Sequence, residues 1–177
     1  MRDLAASQDT STNAICSMFG SKGELVREAA LSAHRSFAAA QSGAIGGADP
    51  LADLFALGLA YRLWAIEHPA LYSVMFVGRA TADVGSSSRS GLDPLARTVA
   101  ALMNAGLLAR GNVMVVCRSL WATLHGWVML ETTPAGQALD AELPGTVEER
   151  FLDHLGLFVQ SWLTPAGRAA FTSGPTD

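Results

Sequence analysis

Apolar residues along this chain recur three and four positions apart, and no block shows the sustained two-residue alternation of a half-buried strand. Proline and glycine divide the pattern into helical blocks. At the N-terminus, Met1 to Ser7 suit a helical turn or two with Leu4 and Ala5 inward. Ser11 is a good N-cap, and Ala14, Ile15 and Met18 then share one face of a helix of about two turns. Gly20 ends it, and the Ser21–Glu24 spacing of a capping box opens a helix over 21–41, with Leu25, Ala29 and Phe37 inward. Small residues over 42–48 form a connector. Asp49 and Pro50 start a helix that reaches His68, and Pro69 opens a short one to about 77. The stretch 82–91, with Gly85-Ser86-Ser87-Ser88, reads as a loop. Asp93-Pro94 starts a helix to about Ala109, Arg110-Gly111-Asn112 turns the chain, and a helix spans about 113–131. A loop over 132–145 holds two prolines. Thr146 and Glu149 make a second capping box and open a final helix through Leu163, followed by 165–168 and a tail. The expected fold class is all-α.

Half of the residues are hydrophobic and only 16% are charged, enough apolar surface for a large core and for a further face that a partner covers. The formal net charge of −4 argues against a protein that coats nucleic acid. The first 35 residues balance Arg2, Lys22, Arg27 and Arg35 against Asp3, Asp9, Glu24 and Glu28. Any DNA affinity therefore rests on a few placed contacts and on dimerisation. Cys16 and Cys117 lie on separate expected helices without Cys-x-x-Cys spacing and read as reduced thiols. The N-terminus has no signal-peptide core, and no uninterrupted apolar run reaches bilayer length, so a soluble, cytoplasmic protein without a membrane partner is expected.

Candidate chemistry is that of binding. Cys117, Trp121, Leu124, His125 and Val128 share one helical face, as do Leu54, Leu57, Tyr61, Trp64 and His68, with Tyr72, Met75 and Phe76 next in sequence. Such stripes make either plain core or an apolar pocket in which His125, Tyr61 and His68 orient a small molecule. No phosphate-cradling glycine loop or Gly-x-Ser-x-Gly elbow occurs. The four histidines fall on four helices without paired metal spacing. Neither an enzyme, nor a metal site, nor a cofactor is expected. The last two long helices are apolar on more than one side, through Leu120, Trp127, Leu130, Phe151, Leu155, Phe158, Val159 and Trp162. Burial against a twin helix pair would cover them.

Two short helices around a tight turn are the geometry that sets a helix N-terminus in the DNA major groove. The run Arg2-Asp3-Leu4-Ala5-Ala6, then Ser11 to Ile15, then Phe19-Gly20-Ser21-Lys22 and Leu25, resembles the helix-turn-helix of TetR-like transcriptional regulators. Trp121, His125 and Gly126 match the Trp-His-Gly signature of one ligand-domain type of that family, and the stretches 49–51 and 67–76 are similar to it too. The resemblance implies a helix-turn-helix head with its connecting helix over 1–40 and a ligand-binding and dimerisation domain over 49–165. It implies DNA contacts from Ser11, Thr12, Asn13, Lys22 and Cys16, the last standing where many relatives carry a backbone-contacting tyrosine. Asp9 and Thr10 stand at the turn positions usually held by glycine and a small apolar residue. A small apolar or aromatic ligand is implied at Tyr61, Trp64, His68, Tyr72, Phe76, Trp121 and His125, with homodimerisation through the last two long helices. The expected function is a ligand-responsive repressor on a palindromic operator. The family's long first helix is not in this sequence, so the alternative expectation is a ligand-binding and dimerisation module without independent DNA binding.

Overall fold

The computed structural model describes residues 11–76 and 91–173. Among them are nine helices and no strand: α1 Thr12–Phe19, α2 Lys22–Gly43, α3 Pro50–Glu67, α4 Pro69–Phe76, α5 Asp93–Asn104, α6 Val113–Glu131, α7 Pro134–Asp140, α8 Val147–Gln160 and α9 Pro165–Ser173. The all-α expectation is met. The expectations for Met1 to Ser7, the Asp9-Thr10 turn and most of the 82–91 loop lie outside the described residues.

Local chemistry sets most boundaries. Ser11 Oγ accepts from the Ala14 amide and Ser21 Oγ from the Glu24 amide, each satisfying an orphan donor of a first turn. Glu24 does not complete the box; its carboxylate takes the Arg27 guanidinium at 2.9 Å instead. At Thr146 both halves of the capping box form. Gly20 turns the chain after α1 at φ +73°, a region that disfavours a Cβ. Asp49 caps α3 at the Leu51 amide, and Asp53 Oδ1 accepts from the Gly46 and Gly47 amides, fastening the connector to α3.

The central helix is α3, which packs against α2, α4, α5, α6 and α8. Leu54, Leu57, Tyr61 and Trp64 of α3 join Phe37, Val99, Leu102, Leu120, Leu124, Phe151 and Leu155 in one buried cluster. Gly58 permits the approach of α8, since a Cβ there would stand 2.6 Å from Leu155 Cδ2. Farther along, the Ala109 amide donates to Trp162 O and the Thr164 amide to Leu107 O, both at 3.0 Å. This bridge ties the turn after α5 to the turn after α8.

The structure corrects several sequence readings. Met18 does not face inward: it is 74% exposed, while Ile15 at 5% is the buried anchor of α1. On α2 the fully buried positions are Ala30, Ala33, His34, Phe37 and Gln41, with Leu25 and Ala29 only half-buried. α5 ends at Asn104, before Ala109, because Gly106 turns at φ +72°. The 132–145 stretch contains α7, and the tail begins with α9. α6 does have the length and mean hydropathy, 1.4, that would suffice to cross a membrane, but Val116, Cys117, Leu120, Leu124 and Val128 on it belong to the protein core. Leu120, Phe151, Leu155 and Val159 are used inside the protomer and so are not free for a partner, whereas Leu130 remains exposed.

Candidate functional site

A cavity of about 330 Å³ opens among α2, α3, α4, α5, α6 and α8. Its walls are mostly aliphatic and aromatic, with leucines from α3, α5, α6 and α8 and the rings of Phe37, Tyr61, Phe76 and Trp121. His34, Gln41, Tyr61 and the indole N–H of Trp121 supply the side-chain polar groups of the described lining. That volume sits at the small end of the usual range of ligand pockets, about 300–1,000 Å³.

Three of the ligand-site residues named from the sequence, Tyr61, Phe76 and Trp121, line this cavity. Tyr72 and His125 stand behind them. The Tyr72 hydroxyl lies 2.5 Å from His125 Nδ1 and 3.0 Å from the Tyr61 hydroxyl, and the Trp121 indole N–H donates to Tyr61 Oη at 3.3 Å. Burial pushes the Tyr72 phenol up to about 12 and the Tyr61 phenol well above its ordinary value, so both remain protonated. Burial also lowers the His125 imidazole, and in the neutral tautomer with its proton on Nε2 the Nδ1 atom accepts from the tyrosine hydroxyls. The bonds then run in one direction, Trp121 to Tyr61 to Tyr72 to His125, and each group in the chain has its partner. Trp64 and His68 lie elsewhere: the Trp64 indole donates to Ser36 Oγ at 3.0 Å, and the His68 ring meets Trp64 edge-on as the C-cap of α3.

Sequence reasoning did not select His34 or Gln41. His34 is 6% exposed, and its Nε2 has no hydrogen-bond partner. Gln41 Nε2 donates to the Leu57 carbonyl at 3.3 Å. The signal was faint: two polar residues seven apart on the inward face of an alanine-rich helix.

The DNA-site candidates lie along α1 and at the first residue of α2, on either side of the Gly20 corner. Ser11 is the N-cap of α1, Thr12 its first residue, and Asn13, Cys16 and Lys22 are exposed. Cys117, by contrast, is buried, and both thiols are free.

Burial lowers three histidines, His34, His125 and His154. Each has a folded value below the ordinary 6.5 of the unfolded chain, so between the two values the unfolded state binds more protons. Stability is therefore expected to be full above about pH 7.5 and to fall as pH drops through 6.5. Calorimetric unfolding between pH 8 and 5.5, in buffers of different ionisation enthalpy, should register net proton uptake. A midpoint and proton count that do not change over that range would refute the assignment.

A family model described as the tetracyclin repressor-like C-terminal domain matches residues 54–155. No curated protein matches the chain. Among solved structures, a protein of unknown function from Rhodococcus sp. RHA1 superposes with a TM-score of 0.77 at 24% identity, over 92% of this chain and 84% of that one. The TetR family transcriptional regulator PfmR from Thermus thermophilus gives 0.72 at 21% identity, over 90% and 86%. A regulatory protein in the tetR family from Rhodococcus RHA1 gives 0.72 at 17% identity, over 90% and 83%. At these identities the superpositions speak for the shared fold, and the domain match, which covers more than half of the chain, speaks for the family. On that match, with the all-helical architecture around it, the chain belongs to the TetR-like family of transcriptional regulators and carries that family's C-terminal domain over residues 54–155.

Proposed function

We propose that the protein is a homodimeric, ligand-responsive repressor that binds a palindromic operator. The observation that carries this reading is the reach of α2. The helix begins just after the Gly20 corner, beside the candidate DNA contacts, and it supplies His34, Phe37 and Gln41 to the cavity wall. From Lys22 to His34 is about 18 Å of helix. A tilt of about 10° at the cavity moves the start of α2 by about 3 Å. Two heads that must enter half-sites spaced about 34 Å per turn of DNA lose register through such a displacement. A coupling of about 3 kcal/mol, roughly 150-fold in affinity, suffices for release.

In this reading Ser11, Thr12 and Asn13 meet base edges or phosphates, Cys16 faces the backbone, and Lys22 pairs with a phosphate. The ligand is a small apolar or aromatic molecule. The dimer forms through α6 and α8, and the protein works in the cytoplasm, without a cofactor.

The test is fluorescence anisotropy of the 177-residue chain on its own upstream intergenic DNA, with a scrambled duplex as control. Preference for the intergenic duplex by about 10³-fold at moderate salt is the expected result. Equal or absent binding by a protein that remains a dimer overturns the repressor reading and leaves a ligand-binding and dimerisation module.

A further inference from the structure

We propose that the cavity takes a neutral, mostly apolar molecule bearing one hydroxyl or carbonyl group, and that His34 on α2, not the tyrosine–histidine chain, holds that group. This rests on the ligand-responsive reading above and names its ligand class.

The argument is one of elimination among the polar groups of the described lining. With His125 accepting at Nδ1, Tyr61 accepts from Trp121 and donates within the chain that ends on His125, so neither its proton nor its nearest acceptor site is open to a newcomer. One N–H of the Gln41 amide is taken by the Leu57 carbonyl, which fixes that side chain, and none of its atoms is among the buried ones left without a partner. His34 differs: its ring lines the cavity, it is almost wholly buried, and Nε2 has no partner. A buried nitrogen without a partner weakens a fold, and such groups in natural proteins call for a specific reason. A ligand that brings the missing partner supplies one. The described lining contains no lysine, arginine, aspartate or glutamate, so a charged ligand would give up its hydration with no counter-charge to meet it. Burial keeps the His34 imidazole itself neutral. A hydroxyl suits either tautomer of that ring, and a carbonyl suits the one that carries its proton on Nε2.

The test is isothermal titration of the full chain with 2-naphthol and with naphthalene, a pair that differs by one hydroxyl. The wild type is expected to bind 2-naphthol about tenfold more tightly. His34→Leu should erase that difference, and His34→Gln, whose amide reaches about as far as Nε2, should keep most of it. A purely structural His34 would make the leucine variant melt lower; the proposal expects the empty leucine variant to melt about 2–4 °C higher. Nitrogen chemical shifts of the histidines in the wild type give a second measure: 2-naphthol should move His34 and naphthalene should not. If both compounds bind the wild type alike, if His34→Leu keeps the preference, or if 2-naphthoate binds more tightly than 2-naphthol, the His34 assignment is overturned while the ligand reading stands. If neither compound binds, the ligand reading falls, and this inference with it.

Discussion

Glu131→Ala is expected to cost about 3–5 kcal/mol of unfolding free energy, a large part of the roughly 5–15 kcal/mol that holds an ordinary domain together. Glu131 lies at the C-terminal end of α6, where the helix dipole opposes a carboxylate. What holds it there is Arg62 of α3, paired through Nη2 at 2.6 Å and Nε at 2.8 Å, with the Trp127 indole donating a third bond at 3.1 Å. Arg62 is buried, and its guanidinium sits 5.8 Å above the centroid of the Phe151 ring. Removing the carboxylate strands that charge in the core. Removing both members is a different matter: Arg62→Met with Glu131→Leu should come within about 1.5 kcal/mol of the wild type, because two fitted apolar chains no longer need desolvated ions to match. Urea denaturation of the two single variants and the double variant decides it. A single-variant loss below about 1 kcal/mol would mean that water already reaches the pair.

The second large effect is on assembly. Leu130 on α6 and Leu157 on α8 are 64% and 71% exposed, on two helices that pack against each other in the protomer. Ser119, Thr123 and Gly126 precede Leu130 at helical spacing, so this side of α6 carries small side chains, and a Cβ at Gly126 would meet nothing within 4 Å. Large apolar residues beside a low surface fit a helix pair that approaches its own copy. Burying the two leucines in each protomer contributes about 1.5–3 kcal/mol apiece. Leu130→Arg with Leu157→Arg is therefore expected to give a folded monomer, with unchanged helicity and no detectable binding to the intergenic duplex. Sedimentation equilibrium at micromolar concentration reads the mass. A double variant that still sediments as a dimer would move the interface to another face.

Where a helix start carried its own side-chain signature, the sequence was legible. Asp49-Pro50 and Thr146 with Glu149 mark α3 and α8, and both helices begin there. The same kind of signature is present at Thr133-Pro134 and Thr164-Pro165, in stretches that the sequence pattern gives only as a loop and a tail. In both places the threonine hydroxyl caps an amide, of Gly136 or Gly167, and proline occupies the first turn, the position it tolerates best. Helical spacing grouped Tyr61, Trp64 and His68 on one face of α3. It could not tell that Tyr61 meets the cavity while Trp64 meets Ser36 on α2, since that division depends on which helix arrives from elsewhere in the chain. His34 was missed for the same reason. On α2 it is one polar residue among alanines, and its place in the cavity wall depends on the helices that α2 packs against, α3 and α4. The partners of Glu131 show the limit again: Arg62 is 69 residues away, a separation that local patterns do not bridge.

Trp121 gives the protein an optical property of its own. Of the four tryptophans, it alone belongs to the described lining of the cavity. The indole of Trp64 is tied to Ser36 and that of Trp127 to Glu131, both away from that space. In the ligand-responsive reading, entry of a molecule changes the dielectric surroundings of Trp121, while those two indoles keep their partners. If the proposed ligand enters, the ultraviolet emission of the unlabelled chain would contain a Trp121 component that follows occupancy beside the Trp64 and Trp127 components that do not, and the purified regulator could be read out by its own light.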